Sequence, residues 1–365
     1  MKKISLEHIT KIFDEKVVAV DDLNIEFPAG KITCLLGPSG CGKTTTMRLI
    51  AGLEKPTTGR IYFDDQDVTD IPTRERNISM IFQFPVLYPL SVFENIAIPL
   101  IAKRTPKNEI NKKVKEIAEL LQLSPVLHEN VKALEVGVRQ RVSLAKAFVR
   151  EVDVCLLDEP LSNVDPQARV TLRAELRKLA SELNQTIIYV THDQSEALTV
   201  GDMIGVMNKG RLLQYDNPEN IYLYPQDPFV AWFIGDPGMN LIDCSLEEKN
   251  GRYLLDAAAF TYDVTYLMET IRQRSSSREL ILGIRPEHIQ VDVKKGGDEW
   301  ICLKPIIIEP YTGGMIIAHF QANGKVIRAK VPSSVPIREN EEAWVHFPRE
   351  YIRLFDKKTD KPISI

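Results

Sequence analysis

Short, nearly continuous apolar runs separated by polar turns organise the first two thirds of the chain. Ile32 to Leu36, Ile78 to Phe82, Val154 to Leu157, Ile187 to Val190 and Ile204 to Met207 are such runs. Their length and lack of alternation predict strands covered on both faces. Helical spacing lies between them. Thr45 to Ile50 reads as a helix directly after the first run. Ile110, Val114, Ile117 and Leu121 fall on one stripe after Thr105-Pro106, which places a proline at the first helical position. Leu172, Leu176, Leu179 and Leu183 form another stripe opening at Asp165-Pro166. Strands alternating with helices predict a parallel sheet with helices on both sides.

The pattern changes near Gly235-Asp236-Pro237-Gly238. Beyond it Leu280 to Ile284, Ile306 to Ile308 and Lys325 to Val331 are β-branched runs. Thr312-Gly313-Gly314 and Asn323-Gly324 interrupt them as turns. Residues 236–365 therefore read as a small all-β domain, barrel-like, following a first domain of residues 1–235. Ser275-Ser276-Ser277 reads as a short mobile loop.

Composition narrows the class. A chain of 365 residues makes about two domains, each able to bury a core. Its 44% hydrophobic and 26% charged residues are ordinary for a soluble globular protein. A net charge of −4 provides no global basic field for nucleic acid. Met1-Lys2-Lys3 leads into a strand-like segment, not a signal peptide. The longest apolar candidate, Ile96 to Ala102, is too short to span a membrane and contains Pro99. The five cysteines are scattered without a CxxC pair, which predicts reduced thiols and no zinc site.

Candidate chemistry begins at Gly37-Pro38-Ser39-Gly40-Cys41-Gly42-Lys43-Thr44, which fits G-x-x-x-x-G-K-[ST] between a strand and a helix. Glycines let backbone N–H groups converge on phosphate oxygens, and the following helix start adds its positive dipole end. Lys43 is expected to reach the β- and γ-phosphates of ATP, and Thr44 to hold Mg²⁺. Thr45 continues the site. An ordinary glycine-rich turn is the alternative. Cys41 lies within the loop, where a helix start and a neighbouring lysine lower a thiol pKa; a small residue filling a tight turn is the other reading.

Three further strand ends carry acid, amide and imidazole groups. Asp158 and Glu159 close the run Val154 to Leu157, with Asp158 expected on Mg²⁺ and Glu159 polarising the attacking water. Gln83 follows Ile78 to Phe82 and is placed to sense Mg²⁺ or that water. His192 follows Ile187 to Val190, on the ligand side of a parallel sheet, where it can donate to a γ-phosphate. Phe13 is a candidate platform for adenine or a core residue.

In this order the phosphate loop, Gln83, Leu134 to Arg141, Asp158-Glu159, Ser162-Asn163-Val164-Asp165 and His192 resemble the ATP-binding subunit of an ABC transporter. THDQSEAL (residues 191–198), VMNKGRLLQYDNPENIY (residues 206–222) and IRPEH (residues 284–288) are similar to the carbohydrate-importer branch, including maltose, glycerol-3-phosphate and glycerol ATPases. The resemblance implies an α/β P-loop NTPase fold with a helical subdomain at about 84–150, and an OB-like, TOBE-type regulatory domain after 236. It implies two ATPase subunits head to tail, each ATP held by one subunit's phosphate loop and the other's signature motif. It also implies two membrane permease subunits docking beside Gln83 to Tyr88, with Phe84, Pro85, Leu87 and Tyr88 as apolar lining. An extracytoplasmic solute-binding protein acts indirectly, and nucleic acid is not a partner. Such a subunit sits peripherally on the cytoplasmic face of a bacterial inner membrane.

One motif departs from the family. Where LSGGQ is expected, the chain has Leu134-Glu135-Val136-Gly137-Val138. Glu135 replaces a hydroxyl that contacts the γ-phosphate across the dimer, and Val136 adds a branched Cβ where backbone must approach phosphate. The damage falls on the partner's nucleotide, which predicts pairing with a second, non-identical ATPase. Two alternatives remain at this level: a regulatory nucleotide-binding subunit that never hydrolyses, and a soluble ABC-type ATPase acting on nucleic acid.

Overall fold

The computed structural model describes residues 2–322 and 324–364; Met1, the Asn323 half of the turn Asn323-Gly324, and Ile365 lie outside the described residues. The chain forms two compact units, Met1–Pro218 and Glu219–Ile365.

The first unit holds two sheets. β1 (Ile4–Phe13), β2 (Val17–Phe27), β4 (Thr58–Phe63) and β5 (Gln66–Asp67) make an antiparallel sheet in the order β2-β1-β4-β5. The second sheet runs β10-β9-β3-β8-β7-β6. Its strands are β3 (Ile32–Leu36), β6 (Ile78–Ile81), β7 (Val154–Asp158), β8 (Thr186–Thr191), β9 (Met203–Asn208) and β10 (Arg211–Asp216). Five are parallel, and only β10 pairs antiparallel, with β9. All five residues of β3 and of β7 are buried, as expected of central parallel strands. Helix α1 (Lys43–Ala51) lies between the sheets. Its Met47, Leu49 and Ile50 share one core with Phe27, Phe63, Leu156 and Ile188.

The helical part consists of α2 (Val92–Ala102), α3 (Lys107–Leu120) and α4 (Val136–Phe148). α2 starts with a capping box: Glu94 N–H donates to Ser91 Oγ at 3.2 Å, and Ser91 N–H donates to Glu94 Oε2 at 2.8 Å. Replacing Ser91 by alanine is expected to lower unfolding stability by about 1 kcal/mol. A urea melt followed by circular dichroism would measure it, and an unchanged midpoint would contradict it. α3 begins one residue later than its sequence suggests. Pro106 has an extended ψ of 143°, so it caps the helix rather than starting it, and Leu121 falls just past the end. α5 (Pro166–Leu183) opens as its sequence suggests. Asp165 accepts from Ala168 N–H at 2.9 Å, and Pro166 fills the first position, where a missing N–H costs nothing. α6 (Gln194–Val200) follows β8.

The second unit opens with α7 (Pro218–Leu223) and α8 (Pro228–Phe233). Three antiparallel sheets follow. β11 (Asn240–Lys249), β12 (Arg252–Asp256), β13 (Thr261–Asp263), β14 (Glu279–Ile284), β21 (Arg353–Asp356) and β22 (Pro362–Ser364) are ordered β13-β12-β11-β14-β21-β22. β15 (Gln290–Asp292), β20 (Ala343–His346) and β16 (Ile301–Leu303) form the second. β17 (Pro305–Tyr311), β18 (Met315–Ala322) and β19 (Lys325–Pro332) form the third. Leu255, Leu282, Ile284, Phe320, Val345 and Phe347 meet in their common core.

Three features differ from the sequence pattern. The unit is not purely β, since α9 (Met268–Arg274) joins α7 and α8. The units divide before 235–236, because α7 and α8 are tied to the β elements. Buried Arg285 donates to Ile234 O at 2.7 Å and to Tyr222 O, and Arg353 donates to Leu223 O at 3.2 Å. Ser275-Ser277 is pinned rather than loose: Ser275 Oγ bonds Asp356, and Ser277 Oγ donates to Glu279 O at 3.1 Å. Pro286–His288 is a short helical turn, with the His288 ring stacked on Tyr351 at 3.8 Å. Among the described residues no helix is long and apolar enough to cross a membrane.

Candidate functional site

The parallel register sets the site. β6, β7, β8 and β3 are neighbours pointing the same way, so the residues at and just after their C-terminal ends gather along one sheet edge. Those residues are Gln83, Asp158-Glu159, His192 and the loop Gly37–Gly42.

The loop turns tightly. Cys41 N–H donates to Pro38 O at 3.3 Å. Gly42 has φ +107°, and a Cβ there would stand 2.5 Å from Ala19 O, so only glycine fits. α1 starts at Lys43, not at Thr45, which makes Lys43 and Thr44 its first residues. Lys43 is only 5% exposed. Its ammonium donates to Gly37 O at 2.7 Å and Pro38 O at 2.9 Å, and lies 3.6 Å from Cys41 Sγ. The cation is thus wrapped inside the loop. Cys41 is buried, Pro38, Thr44 and Thr45 are half-buried, and Ser39 and Gly40 are exposed.

Thr44 Oγ1 donates to Asp158 Oδ1 at 3.1 Å. Burial pushes the Asp158 carboxyl above the usual carboxylate range, and the adjacent Glu159 charge adds to the rise; the Thr44 hydrogen bond, Arg48 and Lys43 pull the other way. A hydroxyl and a carboxylate side by side are hard oxygen donors of the kind Mg²⁺ accepts alongside water. A cation would also offset the cost of burying Asp158. Among the described residues no group of three His, Cys, Asp or Glu side chains is gathered to hold a metal. Gln83 does not join the Thr44–Asp158 pair. Its Nε2 donates instead to Glu159 Oε2 at 3.3 Å.

Glu159 is the hub of the opposite side. Its backbone has φ +45°, outside the usual range for a glutamate, and its N–H donates to Val190 O at 2.9 Å. That turn aims the carboxylate at the next strand end, where Oε1 lies 3.0 Å from His192 Nδ1. Phe13 is farther along the chain's first sheet, at the end of β1, with the Lys11 ammonium 4.7 Å from its ring centre.

The stretch Leu134–Val138 begins α4. Glu135 is the exposed residue before the helix, and its side chain makes no capping bond. Val136 is 44% exposed. A Cβ on Gly137 would meet only Ala168 Cβ, at an ordinary 3.8 Å. Packing inside the chain therefore does not require glycine there. The loop after β6 presents Phe84 and Tyr88 to solvent, and a groove of about 540 Å³ is lined by Phe84, Pro85, Leu87 and Tyr88 together with Val136 and Arg139.

Several contacts were not legible in the motifs. Asn163 Nδ2 donates to Gln83 O at 3.0 Å, and a cluster of Arg169, Arg173, Asp193 and Glu196 lies beneath the strand ends. Glu196 is part of the THDQSEAL run; the arginines carry only an i, i+4 spacing on α5 as a signal.

A family model described as ABC transporter matches residues 20–162, and one described as MalK OB fold domain matches residues 235–289. The chain is 41% identical to a trehalose/maltose import ATP-binding protein of Thermococcus litoralis, over 100% of both chains. It is 38% identical to an oligosaccharides import ATP-binding protein of Bacillus subtilis, over 99% of each. It is 37% identical to an sn-glycerol-3-phosphate import ATP-binding protein of Pectobacterium atrosepticum, over 98% of this chain and 99% of that one. Among solved structures, cbiO1 of Clostridium perfringens, part of the ABC transporter complex cbiONQ, aligns with a TM-score of 0.57 and 28% identity. It covers 60% of this chain and 89% of its own.

Proposed function

Since the chain belongs to the ABC transporter ATP-binding family, with a P-loop ATPase unit and a MalK-type OB-fold domain, we propose that it hydrolyses ATP to drive import of a carbohydrate or polyol, glycerol among them. The observation that carries this is the convergence of Glu159, His192 and Gln83 beside the Lys43–Thr44 helix start, on one edge of a parallel sheet.

Each residue has a role in that reading. Lys43 exchanges its loop carbonyls for β- and γ-phosphate oxygens, and the backbone N–H groups between Gly37 and Thr45, Pro38 having none to give, cradle the rest. Thr44 and Asp158 hold Mg²⁺, which when bound neutralises charge on the phosphates. Glu159 accepts the proton of the attacking water. His192 donates toward the γ-phosphate, and its contact with Glu159 keeps the two groups in one register. Gln83 orients Glu159 and sits at the head of the permease-facing loop. Phe13 stacks on adenine.

In this proposal the unit ending at Pro218 is the motor, with its helical subdomain at about 84–150, and the unit that begins at Glu219 regulates it. Two permease subunits bind the groove at Phe84 to Tyr88, which places the chain peripherally on the cytoplasmic membrane face. The second ATPase is a different chain, because Glu135 and Val136 present a charge and a branched side chain where the partner's γ-phosphate would lie.

The test is Mg²⁺-dependent ATP turnover by the chain alone and with its permeases in proteoliposomes. Permeases are expected to stimulate turnover. Leu87→Asp is expected to remove most of that stimulation while nucleotide affinity stays within about twofold, since a buried charge spoils an apolar interface without touching the phosphate loop. No ATP binding by the wild-type chain would overturn the reading. Full stimulation of the Leu87→Asp variant would overturn the docking surface.

A further inference from the structure

Glu159 and His192 stand on two separate loops, and hydrolysis needs both at one registration. The loop after Glu159 runs through Ser162 and Val164 to Asp165, the cap of α5. The His192 loop runs between Thr191, the last residue of β8, and Asp193, the cap of α6. One side chain bonds to both. On α5, Arg169 Nη2 donates to Val164 O at 3.1 Å and Ser162 O at 3.4 Å. Its Nη1 donates to Asp193 Oδ2 at 3.4 Å. Its Nε is buried without a hydrogen-bond acceptor and lies 4.0 Å from Glu196 Oε1.

The far side of the His192 loop is equally fixed. Glu196 is 2% exposed and accepts from Tyr189 Oη at 2.9 Å and Thr191 Oγ1 at 2.8 Å. Asp193 N–H donates to Thr191 Oγ1 at 3.0 Å, and Asp193 Oδ1 accepts from Glu196 N–H at 3.2 Å. Arg173, one turn beyond Arg169, donates to the same Asp193 oxygen at 3.3 Å. His192 itself is half exposed and makes its polar contact with Glu159. Its neighbours on both sides are therefore locked while the imidazole stays free to act. A planar guanidinium, with donors fixed in a fork, can span two loops; an ammonium supplies one point charge.

We propose that Arg169 is a positioning residue for ATP hydrolysis, holding the Glu159 and His192 loops in one register through Ser162, Val164 and Asp193. This rests on the roles given to Glu159 and His192 above. Displacing a catalytic group by about 1 Å costs on the order of 100-fold in rate without affecting binding of a substrate held elsewhere.

The experiment uses the assembled transporter in proteoliposomes and measures kcat and KM for MgATP, with a thermal melt for each variant. Arg169→Gln is expected to lower kcat by about 10- to 100-fold with KM within about threefold. Arg169→Lys, which keeps the positive charge, is expected to fold like the wild type and recover only part of kcat. In a His192→Ala background, Arg169→Gln is expected to cost several-fold less than in the wild type, because groups acting as a unit are not additive. Wild-type kcat in a folded Arg169→Gln or Arg169→Lys variant would overturn the proposal. So would an Arg169→Gln loss of the same size with and without His192. A wild-type transporter with no MgATP turnover would instead overturn the functional reading, and this inference with it.

Discussion

Replacing Glu159 by glutamine is expected to reduce ATP turnover at this chain's own site by about 100- to 10,000-fold, the usual worth of a positioned general base. ATP affinity is expected to stay within about twofold. The two halves of this result come from different parts of the site. Lys43, Thr44 and Asp158 lie on the phosphate-loop side, and none of their hydrogen bonds involves Glu159. Glutamine also keeps the shape and an acceptor oxygen for Gln83 Nε2, which now sits 3.3 Å from the carboxylate. What disappears is the basic oxygen facing His192 Nδ1 at 3.0 Å. Equilibrium binding of a fluorescent nucleotide, with single-turnover phosphate release on the same sample, separates the two. Single-turnover hydrolysis at the wild-type rate would remove Glu159 from the mechanism.

The second large effect concerns the surface offered to a partner's nucleotide. A transporter assembled with two copies of this chain is expected to turn over ATP slowly, and Glu135→Ser is expected to raise its rate by about 5- to 1,000-fold. The range follows from electrostatics. Two unit charges about 4 Å apart repel by about 1 kcal/mol in water and about 4 kcal/mol at an effective dielectric near 20. Glu135 is exposed and its carboxylate is not occupied in capping α4, so no internal contact is lost on replacement. The measurement is phosphate release by the homomeric complex with and without the substitution, and again after adding candidate partner ATPases. Fast turnover by the unmodified homomeric complex would eliminate the requirement for an unlike partner.

Local patterns made much of the motor legible. The five parallel strands announced themselves as nearly continuous apolar runs, since a strand covered on both faces has no polar side. Asp165-Pro166 announced the start of α5 because a cap and a fixed φ act within adjacent residues. The antiparallel lobe of β1, β2, β4 and β5 was less visible. Its strands alternate, and register shifts between Leu6 and Ile12 interrupt the alternation. Gln83 shows the limit for site chemistry. Its position after β6 placed it correctly at the sheet edge, but only three-dimensional packing decides that its amide faces Glu159 rather than Thr44 and Asp158. Arg169 was invisible for the same reason, because its partners lie on two loops brought together by β7 and β8 pairing. In the second unit Arg285 ties α7 and α8 to the strands through carbonyls, and backbone acceptors leave no trace in a sequence.

Helix α5 has eighteen residues, and its grips are divided along its length. Near its start Arg169 and Arg173 grip the loops that carry the reacting groups. Halfway along, Glu175 takes a forked bond from Arg141 of α4, at 3.0 and 3.2 Å, and another from Gln122 at 2.9 Å. A rod clamped at both places is a crankshaft in the proposed mechanism: a swing of α4 against a partner's nucleotide would be carried along α5 to the Glu159 and His192 loops.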